Sequence, residues 1–212
     1  MMTASKSDKF GSFLIAFGSL LICLCLALLY YNSRENLNAQ SAVVEQLPAI
    51  HRAIEERQAG KHETDTPYIQ TGETDEEVIP EMTAVEINGY AYIGYLYFPT
   101  LELELPVMDQ LDNTRLRRAP CWYSGSYYTD DLVIAAHNYR SSFGQLKNIL
   151  QGDIVCFTDM DGNLHGYIVE SIELLAPTDV EVMKHSEFDL SLYTCTYDGS
   201  QRLTVRCSKI EN

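Results

Sequence analysis

Cys195 and Arg202 flank the stretch Thr196-Tyr197-Asp198-Gly199-Ser200-Gln201, whose Asp-Gly pair is a hairpin signal. A two-residue turn at Asp198-Gly199 pairs Tyr197 with Ser200, Thr196 with Gln201, and Cys195 with Arg202. Directly opposed residues share a face of the sheet, with Cβ atoms about 4.5–5.5 Å apart. The sequence therefore predicts a thiol beside a guanidinium. A permanent cation nearby favours the thiolate, the nucleophilic form of cysteine. The same guanidinium can donate to the oxyanion that develops when a thiolate attacks a carbonyl. The competing reading makes Cys195 a small buried hydrophobe and Arg202 a surface residue. Alternation argues against it. Leu190, Leu192 and Thr194 fall on one face, and Ser191, Tyr193 and Cys195 on the other, so the thiol is out of phase with the aliphatic face.

A thiol nucleophile that displaces an amine needs a proton carrier, commonly histidine. Of five histidines, His51 and His62 fall in an N-terminal stalk and linker. His165 follows an Asp161-Gly162 turn and His185 lies in a polar loop, where both read as solvent-exposed bystanders. His137 closes the apolar run Leu132–Ala136 and precedes Asn138. A histidine at the end of a buried strand is well placed to face a cleft.

The elements that must position these residues are mostly strands. Tyr90–Phe98 is rich in aromatic and β-branched residues, and Leu101, Leu103 and Leu105 alternate with Glu102 and Glu104. Asp153–Thr158 and Leu164–Ile172 flank Asp161-Gly162, and Leu190–Thr196 and Arg202–Ile210 flank Asp198-Gly199. Phe143–Leu150 reads as a short helix. Many short strands with regular turns indicate an all-β barrel or sandwich between Met82 and Cys207.

Upstream, residues 13–31 form a charge-free apolar run long enough to cross a bilayer. It is longer than a signal-peptide core and no A-x-A cleavage pattern follows it. Lys6 and Lys9 before it favour a cytoplasmic N-terminus. The organisation predicted is a cytoplasmic tail over 1–12, a transmembrane anchor over 13–31, a juxtamembrane helix and acidic linker over 32–81, with Pro48 breaking or kinking the helix, and a β-domain over 82–212. The net charge of −15 argues against a nucleic-acid partner.

Cys23 and Cys25 belong to the apolar run. A location outside the membrane permits a Cys121–Cys207 disulfide, but such a bond needs Cα atoms within about 7 Å, and two separate buried thiols are the expectation. Asp159, Asp161 and Asn163 with Glu170 mimic part of a calcium loop. Leu164 stands where that loop needs glycine, so they are read as turn residues.

The blocks Ala136-His137-Asn138, Leu192-Tyr193-Thr194-Cys195 and Arg202-Leu203-Thr204-Val205-Arg206 resemble the sortases of Gram-positive bacteria, over about Tyr90 to Ser208. That family usually has glycine before the histidine, where this chain has Ala136. The resemblance implies a closed β-barrel of about eight strands with a short helix, preceded by one N-terminal transmembrane helix. It implies cleavage of a Leu-Pro-x-Thr-Gly-like sorting signal after Thr by Cys195, with His137 as general acid then base and Arg202 stabilising oxyanion and substrate. Arg206 is the rival arginine, farther from the hairpin mouth. The acceptor would be a peptidoglycan precursor or a pilin lysine, and the chemistry requires no cofactor or metal. The loop from Pro177 to Asp189 would contact the sorting signal. Val180, Val182 and Met183 would line an apolar pocket, and Thr194 would lie beside the substrate. The implied location is the cell membrane, single-pass, with the catalytic domain outside. Two other readings use the same residues: an anchored thiol peptidase that releases its substrate to water, and a non-enzymatic wall-binding β-domain in which Cys195 is buried and unreactive.

Overall fold

The computed structural model describes residues 6–62 and 80–211. Most of the acidic linker lies outside the described residues, as does the side chain of His62. The chain divides into two units, Met1–Asn38 and Ala39–Asn212. Helix α1 (Lys6–His62) contributes to both. In the first unit, Phe10–Tyr31 is a 22-residue apolar stretch with no buried residue. At 1.5 Å per residue it spans about 33 Å, enough to cross a hydrocarbon core of about 30 Å.

In the second unit, the last turns of α1 pack on a barrel rather than standing as a free stalk. Pro48 sits inside the helix without ending it. An interior proline removes one helical hydrogen bond and crowds the preceding turn, at about 3 kcal/mol or more. Tertiary burial opposes that cost. Ile50 and Ile54, one turn apart on one face, are 0% and 6% exposed against the barrel wall. Polar contacts fix the same face: His51 Nε2 lies 2.8 Å from Glu104 Oε1, and Arg57 pairs with Asp161 at 2.9 Å.

The strands are β1 (Val85–Ile87), β2 (Tyr90–Phe98), β3 (Leu103–Met108), β4 (Cys121–Ser124), β5 (Leu132–Ala135), β6 (Ile154–Asp159), β7 (Leu164–Leu175), β8 (Leu190–Cys195) and β9 (Arg202–Lys209). Their order is β1-β2-β3-β4-β5-β8-β9-β7-β6, and β2 also pairs with β6. Eight strands thus close a barrel, with β1 as a short flank. On one edge β2 first meets β1, through Tyr90–Tyr92, and then β6, through Gly94–Tyr97. The switch needs Gly94. Its φ is 150°, and a Cβ there would lie 2.1 Å from the Thr158 carbonyl oxygen.

Between the strands lie α2 (Asn113–Leu116), α3 (Val180–Lys184) and 3-10 turns at Pro99–Leu101 and Phe143–Asn148. The predicted helix at Phe143 is the latter turn, buried through Phe143 and Leu146. Alternate strand residues fill the interior, among them Leu96, Val107, Ile134, Phe157, Leu192 and Val205. A second cluster, including Tyr92, Met108, Cys121 and Met160, lies with Ile50 and Ile54. The pair that matters for function is β5 with β8. They run parallel, in the register Ala135↔Tyr193. Parallel neighbours bring their C-terminal ends to the same end of the barrel. The residues that follow β5 therefore meet the end of β8.

Candidate active site

Cys195 is the last residue of β8, and Arg202, the first of β9, is its direct cross-strand partner. The loop between them is larger than the two-residue turn expected. Thr196 and Gln201 close the ladder, with the Thr196 N–H donating to Gln201 O at 2.9 Å, and four residues bridge them. The reason is Asp198. Its carboxylate accepts from Thr196 Oγ1 at 2.6 Å, from Ser200 Oγ at 2.7 Å and from the Ser200 N–H at 3.1 Å. These bonds hold the Asp198 carboxyl down at about 2. Gly199 takes the left-handed conformation, with φ 74°. The wider loop preserves the register, so Cys195 and Arg202 are paired directly across the two strands as predicted.

Alternation puts Leu192, Thr194, Leu203 and Val205 toward the interior and Tyr193, Cys195, Arg202 and Thr204 on the outer face. Cys195 is half-buried there. Thr194 is 2% exposed, and its Oγ1 has no hydrogen-bond partner among the described residues. It points away from the Cys195 face. Arg202 Nη1 donates to Gln201 O at 3.2 Å.

His137 follows β5 by two residues and is bracketed by two bonds to the end of β8. The Ala136 N–H donates to Tyr193 O at 3.1 Å, and Asn138 Nδ2 donates to Thr196 O at 3.3 Å. The imidazole is thus carried between contacts to residues on either side of Cys195. Its ring lies 5.0 Å from that of Tyr139. The role of Asn138 was not read from the sequence. A short amide next to a candidate histidine at a strand end is the signal that could have suggested a bridge.

The β7–β8 connection covers the outer face beside Cys195. Within α3, Val180 and Val182 are 39% and 50% exposed, whereas Met183 is 5% exposed, with its Sδ 4.0 Å from Thr204 Oγ1. Lys184 Nζ sits 5.4 Å from the centroid of Tyr123, which packs edge-on against Tyr193 at 5.3 Å. A thiol, a guanidinium and an imidazole therefore gather at one barrel end, beside aromatic and apolar side chains. A cavity of about 420 Å³ is lined by Met82, Ile93, Asp109 and Trp122 among others, and none of Cys195, Arg202 and His137 lines it.

The other candidates serve the fold. His165 is not exposed. Its Nε2 is 3.1 Å from the buried Asp159 carboxylate, and its ring packs on Tyr127 at 4.6 Å. Asp159 also accepts from the N–H groups of Asp161 and Asn163 and from Asn163 Nδ2. Burial opposes its ionisation, but the bonds from His165 and Asn163 outweigh it and lower its pKa. The carboxylate is a hairpin brace, as the turn reading requires. Among the described residues no group of three or more His, Cys, Asp or Glu is placed to hold a metal ion. His185 is exposed, 3.4 Å from Glu181.

Cys121 and Cys207 are free thiols in different apolar clusters, both fully buried. Burial pushes Cys121 up to about 12 and raises Cys156 and Cys207 as well. Burial therefore disfavours the thiolate in all three. Cys207→Ser places a hydroxyl in the barrel interior, at a cost of about 1–3 kcal/mol. A thermal melt should show a Tm lower by several degrees, with acyl transfer retained. A folded Cys207→Ser protein without turnover contradicts the choice of Cys195.

The sortase-domain family profile matches residues 96–210. Sortase A of Bacillus anthracis is 23% identical over 162 residues, which is 73% of this chain and 76% of that protein. Sortase C1 of Streptococcus suis is 26% identical, with 57% of this chain and 74% of that one covered and a TM-score of 0.50. Sortase C of Streptococcus pneumoniae, whose structure bears on catalysis and pilin substrate specificity, is 21% identical. The match covers 81% of this chain and 97% of that one, with a TM-score of 0.53. The closed barrel and the matched domain define a transpeptidase class. The chain belongs to the sortase family.

Proposed function

We propose that this chain is a cysteine transpeptidase that cleaves a Leu-Pro-x-Thr-Gly-like sorting signal and passes the acyl group to a cell-wall or pilin amine. The observation that supports the reading is the direct pairing of Cys195 with Arg202, together with the bonds from Ala136 and Asn138, the neighbours of His137, to Tyr193 and Thr196.

Cys195 Sγ attacks the Thr carbonyl carbon of the signal. Arg202 donates to the oxyanion, and the C–N bond to Gly breaks. His137 gives its proton to the departing amine, leaving a thioester. An acceptor amine then attacks, His137 takes its proton, the new amide forms and the Cys195 thiolate is released. Val180 and Val182 contact the Leu-Pro end of the signal, Met183 supports that surface from beneath, and Thr194 sets the backbone of the strand end next to the substrate. Residues 13–31 anchor the chain as a single pass, with 1–12 cytoplasmic, 32–81 as the connection and the 82–212 domain outside. Membrane lipid surrounds the anchor. The acceptor in this reading is a pilin lysine or a peptidoglycan precursor amine. No cofactor enters the chemistry.

The test incubates full-length protein in detergent micelles with a Leu-Pro-x-Thr-Gly peptide, with and without triglycine, and identifies products by mass spectrometry. The expected product is the Leu-Pro-x-Thr acyl group joined to triglycine. Cleavage to the free acid alone, even with triglycine present, supports the peptidase reading. No cleavage, with Cys195 inert to alkylation, supports a wall-binding domain. Val180→Ala and Val182→Ala should each raise KM roughly 3- to 10-fold, from the loss of exposed methyl groups that the bound signal covers in this reading. The change in kcat should be smaller, and a pure kcat loss contradicts the contact.

A further inference from the structure

Arg206 is the largest fully buried side chain among the described residues, only 1% exposed, although it lies on the outer face of β9. A guanidinium taken out of water destabilises the fold unless its donors find partners. Here they do. Nε donates to Glu173 Oε1 at 2.9 Å, and Nη1 donates to Ser191 Oγ at 2.8 Å and Met183 O at 3.3 Å. Nη2 donates to Val182 O at 2.8 Å. Two of the four acceptors are backbone carbonyls near the end of α3, which have no partner within so short a helix.

That helix cannot hold itself. Five residues are far too few for an isolated helix to persist in water, so tertiary contacts must decide where α3 sits. The contacts to the wall beneath it include the buried Met183 side chain against Thr204, Lys184 over the Tyr123 ring, and the fork of Arg206, which alone supplies hydrogen bonds to two of its backbone carbonyls. The outer face of the β8–β9 hairpin carries three alternate pairs: Cys195 with Arg202, Tyr193 with Thr204, and Ser191 with Arg206. The first pair lies at the site. The third grips the loop that carries Val180 and Val182.

We propose that Arg206 is a positioning residue, fixing the β7–β8 loop beside Cys195 so that recognition of the sorting signal depends on it without any contact to the reacting atoms. The consequence for recognition rests on the transpeptidase reading above; the anchoring of the loop does not. Lysine offers a single head group in place of the planar fork, so Arg206→Lys should restore the anchor only in part.

The test compares wild type, Arg206→Met and Arg206→Lys as full-length protein in detergent micelles. Hydrogen exchange follows the amides of Met183 and His185, which donate to Asp179 O and Glu181 O at 3.0 and 2.8 Å. Both should exchange faster in Arg206→Met, with Arg206→Lys intermediate. KM for the peptide should rise about tenfold or more in Arg206→Met, while kcat changes by less than about threefold. The rate of Cys195 alkylation by iodoacetamide, which needs no peptide contact, should stay within about twofold of wild type. Arg206→Lys keeps the charge, and the same three readings on it carry the test if the Met variant does not fold. Unchanged exchange at Met183 and His185 overturns the anchor. Faster exchange with unchanged KM overturns its role in recognition, and a fall in alkylation and kcat at unchanged KM shows that Arg206 acts on the thiol instead. If wild type cleaves no sorting signal at all, the transpeptidase reading fails while the exchange result still decides the anchor.

Discussion

Cys195→Ala should abolish thioester formation with a sorting-signal peptide and lower kcat/KM by at least about 10⁴-fold, because no other group can take the acyl chain. The other cysteines of the barrel cannot substitute. Cys121 and Cys207 are fully buried in separate clusters, and burial raises all three remaining barrel thiols. The fold should survive. Cys195 ends its strand, half-buried on the outer face, and its ladder pairing with Arg202 is made by backbone. The stability change should stay within about 1 kcal/mol. Steady-state kinetics with a quenched-fluorescence peptide, paired with circular dichroism of the same sample, checks both halves. Retained turnover in a folded Cys195→Ala protein contradicts the assignment.

His137→Ala should lower kcat/KM by about 10²–10⁴-fold, the usual range for a lost general acid–base group. Two steps depend on it, protonation of the leaving amine and deprotonation of the acceptor. The flanking bonds from Ala136 and Asn138 to β8 should keep the strand ends together in the variant, so the loss reports the imidazole rather than a collapsed site. Single-turnover measurement of thioester formation and release should show both phases slowed. A loss below about tenfold points to another proton carrier. His165 is a poor substitute, because it braces Asp159 at the β6–β7 hairpin.

The site was legible in the sequence because its key contact is local. An Asp-Gly pair sets the register, and the register alone brings Cys195 to Arg202. The loop size was not legible. It depends on which donors the Asp198 carboxylate collects, and Thr196 and Ser200 favour the wider form. His137 could be chosen because an apolar strand ends there. That it meets the end of β8 follows from parallel β5–β8 pairing, a non-local fact that periodicity does not carry. Two expectations failed for one shared reason, burial by a distant segment. α1 does not break at Pro48, because Ile50 and Ile54 gain a barrel wall. His165 is not exposed, because Tyr127 and Asp159 pack against it. The same kind of cover reaches Arg206, on the outer face of β9 beneath α3.

The most direct test is to trap the intermediate. Full-length protein is mixed with a Leu-Pro-x-Thr-Gly peptide in the absence of an acceptor amine, quenched in acid within seconds, and its mass measured intact and after digestion. The expected result is a mass increase equal to the Leu-Pro-x-Thr acyl group, carried on the peptide that contains Cys195, and its disappearance when triglycine is added before the quench. An adduct on any other residue, or cleavage of the substrate with no adduct at any time point, contradicts Cys195 as the nucleophile of this sortase.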